Sequence, residues 1–425
     1  MARRTAGPAI AAMLVAGGAA PALGQGGAPT PGSELTISLM TMGVGPRVWE
    51  RFGHNAIVVE DRLRGTAKAY NYGLFDFRQE NFLLRFVQGR MWYWMQGFDA
   101  TATVESYVRA NRSVWMQELE LTPAERRALA DFLEWNERPE NRFYRYDYYR
   151  DNCSTRVRDA LDRVLHGRIR AQTDTIRTGT TYRWHTARLT ASDLPLYTAL
   201  QLALGQPADR QLTAWDEMFI PLELRDWARK VTVVGEDGRI RPLVRSERLL
   251  FLSTGPQPPA RPPRRFLGYL LAGVVLGGAL VLLARGASRP LSRPGAVRGF
   301  SWLAGGWALI IGVAGGLLAF LWGFTDHAVA SRNENVLQAN LLLLPLAVLA
   351  PRLARGKPEA RGPAVALALM VAALSVLGVL LKALPGFYQA NAEVLALAVP
   401  VNLGLALSLW LLGRAPAAAK RDRPA

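Results

Sequence analysis

The sequence predicts an exported α+β domain followed by an all-α bundle of five membrane-spanning helices. Three observations carry that reading. Residues 1–24 place Arg3 and Arg4 ahead of a small-residue apolar run that closes on Pro21-Ala22-Leu23-Gly24, the layout of a secretory signal peptide. Residues 33–253 mix alternating and helical apolar periodicities, as a domain of strands and helices does. Beyond them come five long apolar stretches, 266–284, 302–324, 336–351, 363–384 and 392–413. About 20 apolar residues cross a ~30 Å hydrocarbon core; the third stretch is the shortest and contains Pro345.

The loops orient the bundle. Arg285, Arg289, Arg293 and Arg298 follow the first stretch, and Arg352, Arg355, Lys357 and Arg361 follow the third. Arg414, Lys420, Arg421 and Arg423 lie in a closing tail, 414–425. The positive-inside rule puts these segments in the cytoplasm and the N-terminal domain outside. Much of the formal net charge of +17 is then topological or faces anionic headgroups. No motif points to nucleic acid. A proline-rich linker, 254–265, joins the domain to the bundle and keeps it close to the bilayer.

Within the domain, 34–40 alternates as a strand, and 54–60, rich in β-branched residues, is a second. A turn at 61–66 returns the chain along 67–72, which makes a hairpin. Residues 79–88 read as a helix with Phe82, Leu83, Phe86 and Val87 on one side, and 91–96 as an aromatic strand. Thr122-Pro123-Ala124-Glu125 is a capping box with proline at the first helical position. A tyrosine-rich strand over 143–149 leads to Arg150-Asp151-Asn152-Cys153-Ser154-Thr155, and Val157, Leu161, Val164 and Leu165 then recur at helical spacing.

Cys153 is the only cysteine of the 425 residues, so its use is its own nucleophilicity rather than an intrachain disulfide. Its neighbours are polar, and its place in the first turn of an amphipathic helix predicts a lowered thiol pKa. A thiol nucleophile needs a base. Of His54, His166, His185 and His327, His54 starts a strand after Gly53, His166 ends the cysteine's own helix, and His185 is the alternative base. A helix-start cysteine facing a strand-start histidine is papain-like chemistry, here in reversed chain order and therefore circularly permuted. Asn71 and Tyr72, on the returning arm of the hairpin, are the candidates to orient the imidazole. An oxyanion donor is expected from the Cys153 N–H with Asn152 or Asn55. Scattered histidines and one cysteine give no zinc or haem site, so no cofactor is expected.

Phe52-Gly53-His54, Tyr70-Asn71-Tyr72-Gly73-Leu74-Phe75-Asp76-Phe77, Phe86-Val87-Gln88-Gly89 and Asp151-Asn152-Cys153-Ser154-Thr155 resemble the periplasmic domain of the Lnb family of bacterial lipoprotein N-acyltransferases. The likeness continues in Thr325-Asp326-His327-Ala328-Val329 with Asn333, Asn335 and Leu337, and extends over about 35–412. Such domains are similar to permuted NlpC/P60 folds. The resemblance implies attack by Cys153, assisted by His54, on a phospholipid ester, followed by transfer of the acyl chain from the thioester to the α-amine of a diacylglyceryl lipoprotein. Trp92, Tyr93, Trp94, Phe98 and Trp115 are candidates to line an acyl groove. His327, Asn333 and Asn335, in a short external loop, are candidates to bind a headgroup or the lipoprotein amine, with Asn391 and Glu393 beside them. The rival readings are a membrane-tethered cysteine peptidase or amidase acting on peptidoglycan, and a membrane scaffold without catalysis.

Overall fold

The computed structural model describes residues 30–288 and 293–414. The expected signal peptide and all but the first residue of the expected tail lie outside the described residues. The N-terminal region is an α+β domain built on one seven-stranded sheet. Its strands include β1 (Leu35–Met42), β2 (His54–Asp61), β3 (Thr66–Leu74), β4 (Trp92–Asp99), β5 (Val114–Leu119) and β6 (Phe143–Arg145). The order across the sheet is Val244–Phe251, β5, β1, β2, β3, β4, β6, with every pairing antiparallel. The β2–β3 hairpin sets the register that matters for the site: Asp61 faces Thr66 at the turn and Ala56 faces Asn71 at the open end.

Side chains alternate across the sheet, so each face needs its own cover. Helix α3 (Pro123–Glu137) and helix α4 (Cys153–Val164) close one face. There Ile37, Leu39, Ile57, Tyr72, Leu129, Leu133, Val157 and Leu161 form one buried cluster. Helix α2 (Ala100–Arg109) covers the other over Met40, Met42, Ala56, Val58 and Ala69. Helix α3 begins as its sequence requires: Thr122 Oγ1 accepts the Glu125 N–H and Glu125 returns the bond to the Thr122 N–H at 2.8 Å.

Three expectations need correction. The helix placed at 79–88 is α1 (Phe82–Gln88), and only Phe82 turns inward; Leu83, Phe86 and Val87 face outward. The tyrosine-rich strand stops at Arg145. Asp147 Oδ1 takes the N–H groups of Tyr149 and Arg150, both at 2.9 Å, and this side-chain turn pulls the backbone out of the ladder. The third membrane stretch does not make a full-length helix. Among the described residues, four helices are long and apolar enough to cross a membrane, Phe266–Ala287, Pro294–Phe324, Pro358–Ala383 and Ala392–Arg414. The third stretch supplies only Leu343–Ala354, 12 residues or about 18 Å at the α-helical rise. The irregular backbone ahead of it is buried against its neighbours and satisfied by them. Asn402 Nδ2 donates to Gln338 O at 3.1 Å, and Gln338 Nε2 to Ser375 O at 3.1 Å.

Residues 252–265 carry no helix or strand, yet the domain does not hang freely from them. The short loop after Pro294–Phe324 docks into it: Asn333 Nδ2 donates to Leu202 O and Ala203 O, each at 2.9 Å, and Asn335 Nδ2 to Leu202 O at 2.9 Å. Buried Glu334 accepts from Gln206 Nε2 at 2.8 Å and the Gln389 N–H at 3.0 Å, and pairs with Lys382. Removing one partner of a buried pair leaves the other charge uncompensated and costs about 3–5 kcal/mol. Glu334→Gln is therefore expected to lower the thermal unfolding midpoint of the detergent-solubilised protein clearly; an unchanged midpoint would show that the joint is not built on this carboxylate.

Candidate active site at the open end of the hairpin

Cys153 owes its position to Asn152. The Asn152 Oδ1 accepts the N–H groups of Ser154 and Thr155 at 2.8 and 2.9 Å, and Thr155 Oγ1 accepts the Asn152 N–H at 2.7 Å. The same side chain donates from Nδ2 to Tyr148 O at 2.8 Å and Phe219 O at 3.0 Å. These bonds begin α4 at Cys153 and fix it to two other segments. They also occupy the Asn152 amide, so it is a structural cap and leaves no donor for an oxyanion.

A second set of bonds joins α4 to β2. Ser154 Oγ lies 2.9 Å from Asn55 Oδ1 and 2.7 Å from Met218 O, sharing its one proton between them. Asn55 Nδ2 donates to Thr41 Oγ1 at 2.8 Å, so its side-chain amide is engaged as well. The backbone N–H groups of Asn55, Ser154 and Cys153 instead favour the ionised form of the Cys153 sulfur. The residue after the histidine is thus bonded to the residue after the cysteine.

His54 enters β2 from Gly53, whose φ of +85° and close approach to Met42 O only glycine accommodates. Its Nε2 lies 3.1 Å from Asn71 Oδ1. Asn71 Nδ2 is held by Ala69 O at 2.9 Å, so the oxygen faces the imidazole and accepts its proton. That assignment leaves the Nδ1 lone pair as the base. Tyr72, the other proposed orienting residue, turns to the opposite face and donates to Asn136 Oδ1 at 2.8 Å; it does not reach the imidazole.

The resting electrostatics differ from the sequence expectation. Burial pushes the Cys153 thiol up to about 11, against the pull of the three N–H groups and of Arg112. Cys153 is partly exposed to solvent. Burial and then Arg112 lower His54 to about 4, opposed by its bond to Asn71. Desolvation outweighs the helix end. Between those values both groups are neutral, so the site holds a thiol and a free imidazole rather than an ion pair.

Two residues that the sequence did not single out stand beside this pair. Arg112 is buried, donates from Nε to Gly43 O at 2.9 Å, and lies 4.7 Å above the Tyr107 ring. The His54 ring stacks on that same tyrosine at 6.3 Å. Tyr144 is buried in β6, and its Oη has no hydrogen-bond partner among the described residues. Gly73, at φ +89°, keeps a gap between them: a Cβ there would lie 3.3 Å from Cys153 Cβ and 3.8 Å from Tyr144 Oη. Neither residue carries a motif; the only sequence signal was the tyrosine-rich run that contains Tyr144.

The other expected site residues lie elsewhere. Trp92 and Trp94 occupy the face of β4 opposite Tyr93 and Met95, which belong to the core cluster on the thiol side. Tyr93 is the aromatic that the site receives: it stacks on Tyr146 at 4.2 Å. Asn333 and Asn335 are struts of the domain–membrane joint. Asn391 donates to Asn335 Oδ1 at 2.8 Å, and Glu393 accepts from Tyr197 Oη at 2.7 Å. His327 stacks on Tyr148 at 6.1 Å and lies 3.0 Å from Phe86 O, near the site but turned to α1. His185 is sealed against Glu217 Oε1 at 3.0 Å and is no base for Cys153.

Residues 28–189 match the family model described as the Lnb N-terminal periplasmic domain. This segment is an Lnb periplasmic domain. The matched segment contains Cys153, His54, Asn71, Gly73, Arg112 and Tyr144. Comparison with curated proteins and with solved structures gave no match.

A neutral resting thiol has a measurable signature. Alkylation of Cys153 by iodoacetamide is expected to be slow at neutral pH and to rise with pH toward a midpoint near 11, little changed by His54→Ala. A fast plateau from pH 6, abolished by His54→Ala, would instead establish a preformed ion pair.

Proposed function

We propose that the protein is a thiol-dependent lipoprotein N-acyltransferase of the bacterial inner membrane, working on the periplasmic side. The observation that carries this reading is that Asn55, next to His54, is bonded to Ser154, next to Cys153, in a domain bonded directly to membrane-crossing helices. A joint that bonds the domain directly to membrane-crossing helices suits a lipid substrate better than a cell-wall peptide.

The chemistry follows from the neutral pair. As Cys153 Sγ attacks the ester carbonyl of a phospholipid, its proton passes to His54 Nδ1, and the imidazolium is steadied through Nε2 by Asn71. The oxyanion that forms takes hydrogen bonds from the Cys153 N–H and the free Tyr144 hydroxyl across the Gly73 gap. Collapse breaks the ester C–O bond, and the leaving alkoxide takes the proton from His54. The products are a lysophospholipid and an acyl thioester on Cys153.

In the second half, the neutral α-amine of a diacylglyceryl-cysteine attacks the thioester carbonyl. His54 takes the amine proton and returns it to the departing sulfur. The amide is formed, the thiol is restored and no cofactor is consumed. Arg112 favours the neutral imidazole by its charge, so His54 starts each half-reaction able to accept a proton.

The test is mass spectrometry of lipoprotein N-termini in cells lacking their own N-acyltransferase. Expression of the protein is expected to restore an N-linked acyl chain, and Cys153→Ala to abolish it. Tyr144→Phe removes one oxyanion donor and should slow transfer by about 100-fold or more while leaving Cys153 alkylation unchanged. Full N-acylation by Cys153→Ala would overturn the thioester route. Cleavage of peptidoglycan peptides without lipid turnover would favour the amidase reading.

A further inference from the structure

Helix α1 is short, and its outward side is almost wholly apolar. Leu83 is 75 % exposed and Leu84 55 %, with Phe86 and Val87 exposed beside them. Phe77, just before the helix, and Trp49, whose ring lies 5.9 Å from that of Phe77, extend the patch. Soluble surfaces rarely carry a contiguous apolar patch of this kind without an occupant.

The location names the occupant. The membrane-crossing helix Pro294–Phe324 ends two residues before Asp326, whose N–H donates to Gln88 O, the last residue of α1, at 2.8 Å. Asp326 then binds Arg90 Nε at 2.8 Å and Arg145 Nη2 at 2.5 Å, and His327 lies 3.0 Å from Phe86 O. The C-terminal end of α1 is therefore fixed at the level where a spanning helix leaves the bilayer. The exposed rings of Trp322 and Phe324 mark the same level, as interfacial aromatics do.

Behind α1 runs an unbroken aromatic seam toward the thiol. Phe86 meets Phe82 at 6.4 Å, Phe82 meets Phe75 at 6.1 Å, Phe75 meets Tyr93 at 5.0 Å and Tyr93 meets Tyr146 at 4.2 Å. Tyr146 lines the Gly73 gap next to Cys153. We propose that α1, with Phe77, is a wedge inserted among the acyl chains of the leaflet on the domain's side, placing the open end of the seam in lipid. The insertion stands on exposure and on the joint, independently of whether Cys153 transfers acyl groups.

Fluorescence tests this without turnover. The lone native cysteine is replaced (Cys153→Ser), and Leu84→Cys or Val87→Cys is labelled with an NBD fluorophore. The full chain is reconstituted in vesicles of phosphatidylethanolamine with a minor fraction of phosphatidylglycerol. The control is Leu63→Cys, an exposed position in the turn at the far end of the β2–β3 hairpin. Labels at 84 and 87 are expected to emit to the blue of the label at 63 and to be quenched by doxyl groups on lipid chains. Emission at 84 and 87 that matches position 63, quenched by aqueous iodide and not by lipid, would overturn the proposal. It would leave the patch to a protein partner or a second copy.

Discussion

The hydrogen bonds around Asn55 and Ser154 are the constraint on which the site depends. They fasten the first turn of α4 to the first residues of β2, bringing together positions 99 residues apart in the chain. A buried polar contact of this kind is strong only when its partners are fully engaged. Here Thr41 holds the Asn55 amide, Met218 shares the Ser154 proton, and Asn152 fixes the helix start from the other side. Without that lattice, α4 would pack on the sheet through apolar residues such as Val157, Ala160, Leu161 and Val164, contacts that fix a face but not a register.

The same closeness explains why the thiol and imidazole rest uncharged. Packing dense enough to hold the two segments together also strips water from both groups. Three N–H groups and a guanidinium do not compensate fully. A neutral pair requires proton transfer during attack, so catalysis falls on the geometry of His54 Nδ1 and on donors that meet the oxyanion. Tyr144 and the Gly73 gap suit that requirement, because an unpartnered buried hydroxyl gains a partner only once the tetrahedral oxygen forms.

Local chemistry was readable in the sequence where it is self-contained. The hairpin at 54–72, the capping box at Thr122, the helix beginning at Cys153 and the nearness of Asn71 to His54 each follow from residues within one or two elements. What the sequence concealed depends on distant partners. Nothing near Arg112 signals that it will lie over Tyr107 beside the histidine. Nothing in 333–335 shows whether amides bind a substrate or hold helix ends, and the structure gives them the second task. The thiol pKa was misjudged because burial is a property of the whole fold. Apolar spacing over 79–88 does not show that Phe82 alone packs inward while Leu83, Phe86 and Val87 face out. The third membrane stretch kept its hydropathy yet lost its full helix, since neighbouring Asn402 satisfies the Gln338 carbonyl in backbone that periodicity alone assigned to a span.

The most direct measurement is rapid-quench intact-protein mass spectrometry of the full chain in phospholipid vesicles without acceptor. The expected result is one fatty-acyl adduct, located on Cys153, sensitive to hydroxylamine, released on adding a diacylglyceryl-cysteine peptide, and formed far more slowly by His54→Ala. Transfer of acyl chains to the peptide with no adduct on Cys153 at any time, or an adduct formed equally fast without His54, would contradict the account.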